Sequence, residues 1–307
     1  MTEPASQPAL KLGTRKSLMA TTQSGLVADA LTEATGHAVE LVGVTTEGDV
    51  SKALLAQMGG TGVFVNGLRE KILAGEVDFA VHSLKDLPTA PAEGIALVAI
   101  PARNDPRDAL CGPGKLSELP QGARVGTGSP RRVAQLRALR PDLEVVAIRG
   151  NADTRLGKVT GGELDAIVLA HAGLVRIKRT AEIGEVFEPE QMLPAPGQGA
   201  LALECRADDA RMIEILRALD DPATRAAVTA ERTVLAVLEA GCSAPVGAFA
   251  YLEDEQNLNL TAAVVSVDGT RQIRLTASGH PDRAEELGRE LAARLFAEGA
   301  DKLMEVP

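Results

Sequence analysis

Residues 124–155 read RVGTGSPRRVAQLRALRPDLEVVAIRGNADTR, and this stretch decides the fold of the middle of the chain. Two short apolar runs, Arg124–Thr127 and Val145–Ile148, predict strands. Each run leads through a polar, glycine-containing turn into a helical pattern, which starts at Ser129 and at Ala152. Strands that alternate with helices predict a mainly parallel sheet, which binds its ligands at the turns that follow its strands.

The same stretch is rich in arginine, although the whole chain carries a formal net charge of -10. Arginine at a strand-to-helix turn suits carboxylate or phosphate, because its planar guanidinium pairs with two oxygens at once. We interpret Arg131, Arg132 and Arg149 as parts of an anion-binding site. Arg137 and Arg140 fit solvated charges on a helix face. A local basic site in an acidic chain indicates a small, defined anion.

The composition of the 307-residue chain excludes several classes of function. The length allows two or three domains, and 45% hydrophobic with 24% charged residues is ordinary for a globular protein. Aromatic residues make up only 2%, which argues against base-stacking platforms for single-stranded nucleic acid. The acidic balance argues against nucleic-acid binding in general, since that requires a broad basic surface.

The cysteines, histidines and N-terminus bear on compartment and metal binding. Three widely spaced cysteines give no disulfide framework, which fits a reducing compartment, and the four histidines do not cluster into a metal site. The N-terminal MTEPASQPALKLG lacks the pattern of a signal peptide, and no apolar run approaches the ~20 residues of a membrane span. We expect a cytoplasmic protein with no metal that binds neither membrane nor nucleic acid.

The segment HSLKDLP, residues 82–88, follows a buried strand predicted at Val77–Val81. His82, Lys85 and Asp86 therefore lie at the carboxyl end of a strand, where α/β folds bind ligands. From the residues alone, two interpretations of Lys85 and Asp86 stay open. One is a simple ion pair. The other is a carboxylate that faces developing positive charge while the lysine meets an anion.

Two segments rich in Pro and Gly, at 101–114 and 194–200, divide the chain. Two α/β units with two crossings between them predict a hinged, bilobal pair, as in periplasmic binding proteins, with a mainly parallel sheet in each. From Asp221 a helix and alternating strands predict a smaller α+β C-terminal domain with an antiparallel sheet. The predicted domains are α/β domain 1 (1–103 and 199–219), α/β domain 2 (104–198) and α+β domain 3 (220–307).

Two further segments have local signatures. The run Ala38–Val44 is continuous enough to predict a strand buried on both faces, and the Gly- and Thr-rich residues 45–67 predict a lid. Cys242 lies between Gly241 and Ser243 in a loop after a helix, so it is expected to be accessible, as a nucleophile or an attachment point.

Taken together, these segments resemble the porphobilinogen deaminases, also called hydroxymethylbilane synthases, of tetrapyrrole biosynthesis. The resemblance covers nearly the whole chain from about Leu10. It lies in the motifs TRKS, AVHSLKDLP, DPRDAL, VGTGSPRR, IRGNADTRL, LPAPGQGAL and GCSAPVG. Members of this family are transferases of porphyrin and haem biosynthesis. They join four porphobilinogen molecules head to tail with loss of ammonia and release hydroxymethylbilane by hydrolysis.

The resemblance also implies a cofactor and roles for individual residues. A dipyrromethane would be held by a thioether to Cys242, and Asp86 would be the catalytic carboxylate. The implied cofactor-binding residues are Lys85, Thr127, Ser129, Arg131, Arg132 and Arg155. The implied substrate-binding residues are Arg15, Ser17, Gln23, Arg149 and Arg176. The anion would then be a growing polycarboxylate, because each pyrrole carries an acetate and a propionate.

The resemblance further implies a monomer that takes the small molecule porphobilinogen and can hand its product to uroporphyrinogen III synthase. Thr61 and Asn66 stand where many family members carry lysine, so the predicted lid lacks two of the cations that are usual in the family.

An alternative is a non-catalytic bilobal protein that binds an anion or senses an effector. It accounts for the arginines and the two α/β units but leaves Cys242, Asp86 and the third domain without a role. A nucleic-acid recognition helix at SPRRVAQLRALR is the weakest interpretation, given the acidic chain.

Overall fold

The computed structural model describes residues 8–44, 62–238 and 244–304. The strands, in chain order, are β1 (Leu10–Arg15), β2 (Val39–Val44), β3 (Phe79–Ser83), β4 (Ile95–Ala99), β5 (Asp108–Cys111), β6 (Arg124–Thr127), β7 (Glu144–Ala147), β8 (Ala166–Ala170), β9 (Ile183–Val186), β10 (Leu201–Arg206), β11 (Val246–Leu252), β12 (Leu258–Val265) and β13 (Gln272–Gly279). The α-helices are α1 (Leu18–Thr35), α2 (Gly62–Leu73), α3 (Pro130–Leu139), α4 (Ala152–Thr160), α5 (His171–Arg176), α6 (Ala210–Arg217), α7 (Pro222–Val237), α8 (Ala284–Ala297) and α9 (Ala300–Met304).

The chain forms two compact units. The first contains Met1–Ala102 and Leu201–Asp221, and the second contains Arg103–Ala200 and Pro222–Pro307. Among the described residues, none of the α-helices combines the length and the hydropathy of a membrane-spanning segment.

The first unit is built on a sheet with the strand order β2-β1-β3-β10-β4. β1 is parallel to β2 and β3, whereas β10 is antiparallel to both of its neighbours. Helix α1 buries Val27 and Leu31 on one face of the sheet, and α2 buries Leu68 and Ile72 in a second core. Apolar residues at helical spacing thus cover both faces of the central strand β3.

The prediction that the second strand is buried on both faces is wrong. β2 is the edge strand of the sheet, and Leu41 at its centre is 41% exposed. A continuous apolar run does not distinguish an edge strand from a central one, because burial is set by neighbours that lie far away in sequence.

The second unit contains a sheet of order β7-β6-β8-β5-β9, in which β6 is parallel to β7 and β8, and β5 is antiparallel to its neighbours. The same unit contains the antiparallel sheet β11-β12-β13, on which α7 and α8 pack. The predicted fold class is therefore confirmed, with two mainly parallel α/β sheets and a smaller antiparallel sheet with helices.

The hairpin between β12 and β13 packs against α3. Gly269 at its tip has φ +78°, and a Cβ there would lie 2.6 Å from the backbone nitrogen of Ala138. Arg137 donates from Nη1 to the carbonyl oxygen of Val267 at 2.8 Å. Arg137 is thus a packing residue, and its interpretation as a solvated charge is wrong.

Candidate active site

Asp86 lies in a 3-10 turn, Leu84–Asp86, that follows β3 directly. Leu84 and Leu87 are buried on either side of it, and the Leu87 amide donates to the Leu84 carbonyl at 3.1 Å. Asp86 and Lys85 are half-buried. Within the described residues, the Asp86 carboxylate accepts no hydrogen bond and forms no ion pair. The turn therefore places a half-buried carboxylate at the carboxyl end of β3, and within the described residues Lys85 and Asp86 form no ion pair with each other.

The predicted substrate-binding residues of the first unit lie at the same edge of its sheet. Arg15 ends β1, which is the parallel neighbour of β3, and Ser17 caps α1 by accepting from the Ala20 amide at 3.4 Å. Gln23 is buried in α1 and donates from Nε2 to the Ser83 hydroxyl at 3.1 Å. This contact joins α1 to the last residue of β3, immediately before the turn that carries Asp86.

A buried ion cluster on the α2 face of this sheet was not predicted. Arg69 of α2 donates to both oxygens of Glu204 on β10, at 2.9 and 2.7 Å, and His82 Nε2 lies 3.3 Å from Glu204 Oε2. Burial alone would raise the pKa of Glu204, but hydrogen bonds and charge from His82 and Arg69 outweigh it and lower the pKa to about 2. The cluster fixes α2 on the sheet.

In the second unit, Arg131 and Arg132 lie in the first turn of α3 and are 3% and 5% exposed. Both guanidinium groups meet Asp108 of β5. Arg131 Nη1 lies 2.7 Å from Asp108 Oδ2, and Arg132 donates to Asp108 Oδ1 from Nε at 3.0 Å and from Nη2 at 2.7 Å. The pair is therefore built into the unit with its orientation set by one carboxylate.

Thr127 and Ser129 form the turn between β6 and α3. Thr127 is fully buried, and its hydroxyl oxygen accepts from the Ser129 amide at 3.3 Å. Ser129 takes the N-cap position, and its side chain makes no capping bond to the helix. Gly128 between them lies so close to the residue that follows β7 that a Cβ would come within 2.7 Å of the Ile148 carbonyl oxygen. The turn places a half-buried hydroxyl at the start of the helix that carries the arginine pair.

Arg149 and Arg155 flank the next turn of this edge. Arg155 donates from Nε to the carbonyl oxygen of Gly150 at 2.8 Å, and Gly150 has φ +114°, a conformation that favours glycine. Burial lowers the pKa of Arg155, and the neighbouring charge of Arg132 lowers it further. Arg149 is exposed. A guanidinium that is desolvated beside a second cation gains from an added anion.

Arg176 ends α5, the short helix that follows β8. It donates from Nε and Nη2 to Asn104 Oδ1 at 3.0 and 2.8 Å, and from Nη2 to the Gly199 carbonyl at 2.6 Å. Burial lowers its pKa to about 10. None of its partners among the described residues is a carboxylate, so its positive charge is not neutralised by them.

Asp108 and Gln198 are site residues that the sequence did not reveal. Gln198 is fully buried and donates from Nε2 to Asp108 Oδ1 at 2.9 Å and to the Pro106 carbonyl at 2.6 Å. Both residues lie in motifs of the family resemblance, DPRDAL and LPAPGQGAL, and those motifs were the available signal. Sequence patterns alone do not show which polar residues will be buried.

The structure also corrects the prediction for Arg140. Arg140 pairs with Asp142 and donates to the carbonyl oxygens of Leu116 and Leu119, so it is not a solvated helix-face charge. Cys242 lies outside the described residues, as does Thr61.

The donor groups of the second unit fit an anionic cofactor. Arg131, Arg132 and Arg155 are close enough for their charges to interact, and the carboxylate that pairs with two of them is Asp108. Arg131 Nε is buried and has no hydrogen-bond partner among the described residues. Positive charge is left in excess, which a carboxylate-bearing group would neutralise.

Comparisons with known proteins bear on the family of this chain. A family model described as "Porphobilinogen deaminase, dipyromethane cofactor binding domain" matches residues 10–214, and a second, "Porphobilinogen deaminase, C-terminal domain", matches residues 225–297. Among solved structures, the methionine-binding protein MetQ has 14% identity over 69% of this chain and 89% of that chain, with a TM-score of 0.44.

Full-length relatives show the same family. The porphobilinogen deaminase of Thermobifida fusca is 59% identical over 96% of this chain and 95% of its own length. Porphobilinogen deaminase 1 of Streptomyces coelicolor is 55% identical over 97% and 98% of the two chains. The enzyme of Mycobacterium bovis is 54% identical over 96% and 98%. The chain described by these two α/β sheets and their arginine-lined turns belongs to the porphobilinogen deaminase family.

Proposed function

We propose that this protein is a hydroxymethylbilane synthase, a transferase of porphyrin and haem biosynthesis. It joins four porphobilinogen molecules head to tail with release of ammonia and frees the linear product by hydrolysis. The observation that carries the proposal is the near-full-length match, at 54–59% identity, to relatives that are named porphobilinogen deaminase. The half-buried Asp86 carboxylate, and the excess of positive charge that Asp108 leaves on Arg131, Arg132 and Arg155, give this activity a physical basis.

The cofactor of the family is a dipyrromethane, and we place its attachment at Cys242. When bound, it supplies a covalently held pyrrole from which the product chain is extended. A thioether is not reversed by thiol exchange, so the attachment survives repeated turnover. The residues that would hold its carboxylates are Lys85, Thr127, Ser129, Arg131, Arg132 and Arg155. In the second unit these side chains are buried or half-buried, so water competes little for their hydrogen bonds.

Asp86 has the central chemical role in this proposal. Loss of ammonia from porphobilinogen leaves an azafulvene whose positive charge is shared by the ring nitrogen. The Asp86 carboxylate accepts a hydrogen bond from that ring N–H and stabilises the charge as it develops. The new carbon–carbon bond leaves a second positive charge on the ring that has attacked, until that ring loses a proton. The same carboxylate stabilises this charge. A group fixed in advance by buried leucines on both sides needs little reorganisation.

Substrate carboxylates would be received by Arg15, Arg149 and Arg176, with Ser17 and Gln23 as hydrogen-bonding neighbours. Arg176 is suited to this role because it is desolvated and its partners are neutral oxygens. Arginine forks bind carboxylates with two parallel hydrogen bonds. A sensor of small anions would use the same arginines, but it would have no need of a carboxylate at Asp86.

The organisation of the protein completes the proposal. We assign α/β domain 1 to residues 1–103 and 199–219, α/β domain 2 to 104–198, and α+β domain 3 to 220–307. We also propose that the protein acts as a cytoplasmic monomer and that its unstable linear product passes to uroporphyrinogen III synthase.

The decisive experiment combines intact mass with turnover. Purified protein should be heavier than its sequence by one dipyrromethane, and Cys242→Ala should lose that increment. Asp86→Asn should keep the increment but lower kcat by about 100- to 1,000-fold. Asp29→Asn, an exposed carboxylate of α1, is the matched control and should keep full activity. A bare mass in active protein, or an active Asp86→Asn variant, would refute the assignment.

A further inference from the structure

Asp108 is a buried carboxylate whose side-chain partners, within the described part of the chain, are Arg131, Arg132 and Gln198. It is the first residue of β5, and it lies opposite Ala170 at the end of β8. Its side chain is fully buried. It therefore takes no direct part in contacts with solvent, and its influence on any ligand must pass through the groups that it touches.

The contacts fix each guanidinium at more than one point. Arg131 Nη1 meets Asp108 Oδ2 and also donates to the Leu193 carbonyl at 2.7 Å. Arg132 binds Asp108 Oδ1 through Nε and Nη2, and its Nη1 donates to the Val168 carbonyl at 2.9 Å. Gln198 bonds Asp108 Oδ1 and lies 3.4 Å from Arg132 Nη2 through its own Oε1. Two long side chains are thus ordered before any ligand arrives.

This order has an energetic consequence. A free arginine side chain loses rotamer entropy when it is fixed. Burial of two guanidinium groups without a counter-charge would also be costly, and Asp108 offsets that cost. One carboxylate does not neutralise Arg131, Arg132 and the nearby Arg155, so attraction for an incoming polycarboxylate remains.

We propose that Asp108 is a positioning residue for loading of the dipyrromethane cofactor. It holds Arg131 and Arg132 in the orientation that receives the cofactor carboxylates, and it acts through those two residues without touching the cofactor. This inference rests on the proposed function, and it adds a residue that the family resemblance did not assign.

The test follows loading directly. The protein is made without cofactor in a host that is unable to form porphobilinogen, and it is then mixed with porphobilinogen. Intact mass gives the fraction of chains that carry the adduct at each time. The variants are Asp108→Asn, which removes the charge, and Asp108→Glu, which keeps it but moves the carboxylate by one methylene. Thermal unfolding of each cofactor-free protein is measured in parallel.

The matched control is Glu204→Gln. Glu204 is equally buried and accepts two hydrogen bonds from Arg69, but it lies in the other unit and touches no arginine of the pair. We expect both Asp108 variants to load about 10- to 100-fold more slowly, because Arg131 and Arg132 would no longer be aligned to receive the cofactor carboxylates. Glu204→Gln should load at nearly the wild-type rate, whatever its loss of stability.

The outcomes separate the alternatives. If Asp108→Asn does not fold, the Asp108→Glu variant decides. Loading at the wild-type rate by a folded Asp108 variant would show a purely structural role. Faster loading would show that Asp108 competes with the cofactor carboxylates, and either result overturns the inference. Failure of the wild-type chain to gain the adduct would instead count against the proposed function.

Discussion

Arg103 and Glu231 form a buried, bidentate ion pair in the second unit. Nη1 lies 2.6 Å from Oε1 and Nη2 lies 3.0 Å from Oε2, and Glu231 is fully buried. The same carboxylate accepts from the amides of Gly197 at 2.7 Å and Ala250 at 2.8 Å. One side chain of α7 therefore joins both crossing segments to β11.

Glu231→Gln should destabilise the protein strongly. The substitution leaves the Arg103 guanidinium buried without a counter-charge, which typically costs roughly 3–5 kcal/mol. Urea unfolding at neutral pH measures the loss. Glu286→Gln, which breaks the exposed pair with Arg283, is the control and should leave the unfolding midpoint unchanged. Equal effects of the two substitutions would show that the buried network is not a stabilising link.

Stability should fall in acid because of Glu204. Its pKa is lowered from 4.5 in the unfolded chain to about 2 in the folded protein. A depressed folded pKa stabilises the protein above the unfolded value, and that stabilisation is lost as the pH falls through the folded value. The difference corresponds to about 3 kcal/mol, lost between about pH 4.5 and pH 2. Unfolding free energies of wild type and Glu204→Gln across this range should converge, and parallel curves would contradict the assignment.

Arg149→Met should stall elongation without affecting the fold. Arg149 is exposed, so its loss should leave the unfolding midpoint unchanged. If it receives carboxylates of the growing chain, a short pulse of porphobilinogen should leave partly extended adducts, visible as a ladder in intact mass. Arg217→Met, an exposed arginine of α6, is the control and should show the wild-type distribution. An unchanged distribution in Arg149→Met would remove this residue from the substrate site.

Gly128→Ala should damage the turn that presents Ser129. The added Cβ would lie 2.7 Å from the Ile148 carbonyl oxygen, a clash with backbone that overpacking data place at about 1–3 kcal/mol. Gly157→Ala is the reverse case, since nothing lies within 4 Å of its Cβ in α4, and it should stabilise by roughly 0.5–1 kcal/mol. Thermal unfolding of both variants, with adduct mass as a second measurement, checks the pair.

Features that depend on interactions between neighbours in sequence were predicted correctly, and features that depend on distant residues were not. The place of Asp86 just after a buried strand and the strand-to-helix turn at Ser129 were predicted correctly, because apolar period and turn chemistry are local signals. The burial of β2 was not, because it depends on its place at the sheet edge. Arg137 was misjudged because its partner, Val267, is far away in the chain.

The candidate site shows the same division. The arginines were visible as a local excess of charge, and their link to carboxylates follows from guanidinium chemistry. Asp108 and Gln198, which hold the pair, come from two other segments and meet only in the folded unit. A pattern within one segment does not show which side chains from distant segments will be in contact.

The position of β10 in the first sheet also governs the order in which the protein can form during synthesis. β10 pairs with both β3 and β4, yet it is encoded after every strand of the second α/β sheet. A ribosome that has released residues up to 186 has delivered all strands of β7-β6-β8-β5-β9, while β3 and β4 still lack the strand between them. Such unpaired edges are prone to aggregation. Of the two α/β sheets, the one that supports Asp86 is thus closed second, by a segment made after every strand of the arginine-bearing sheet.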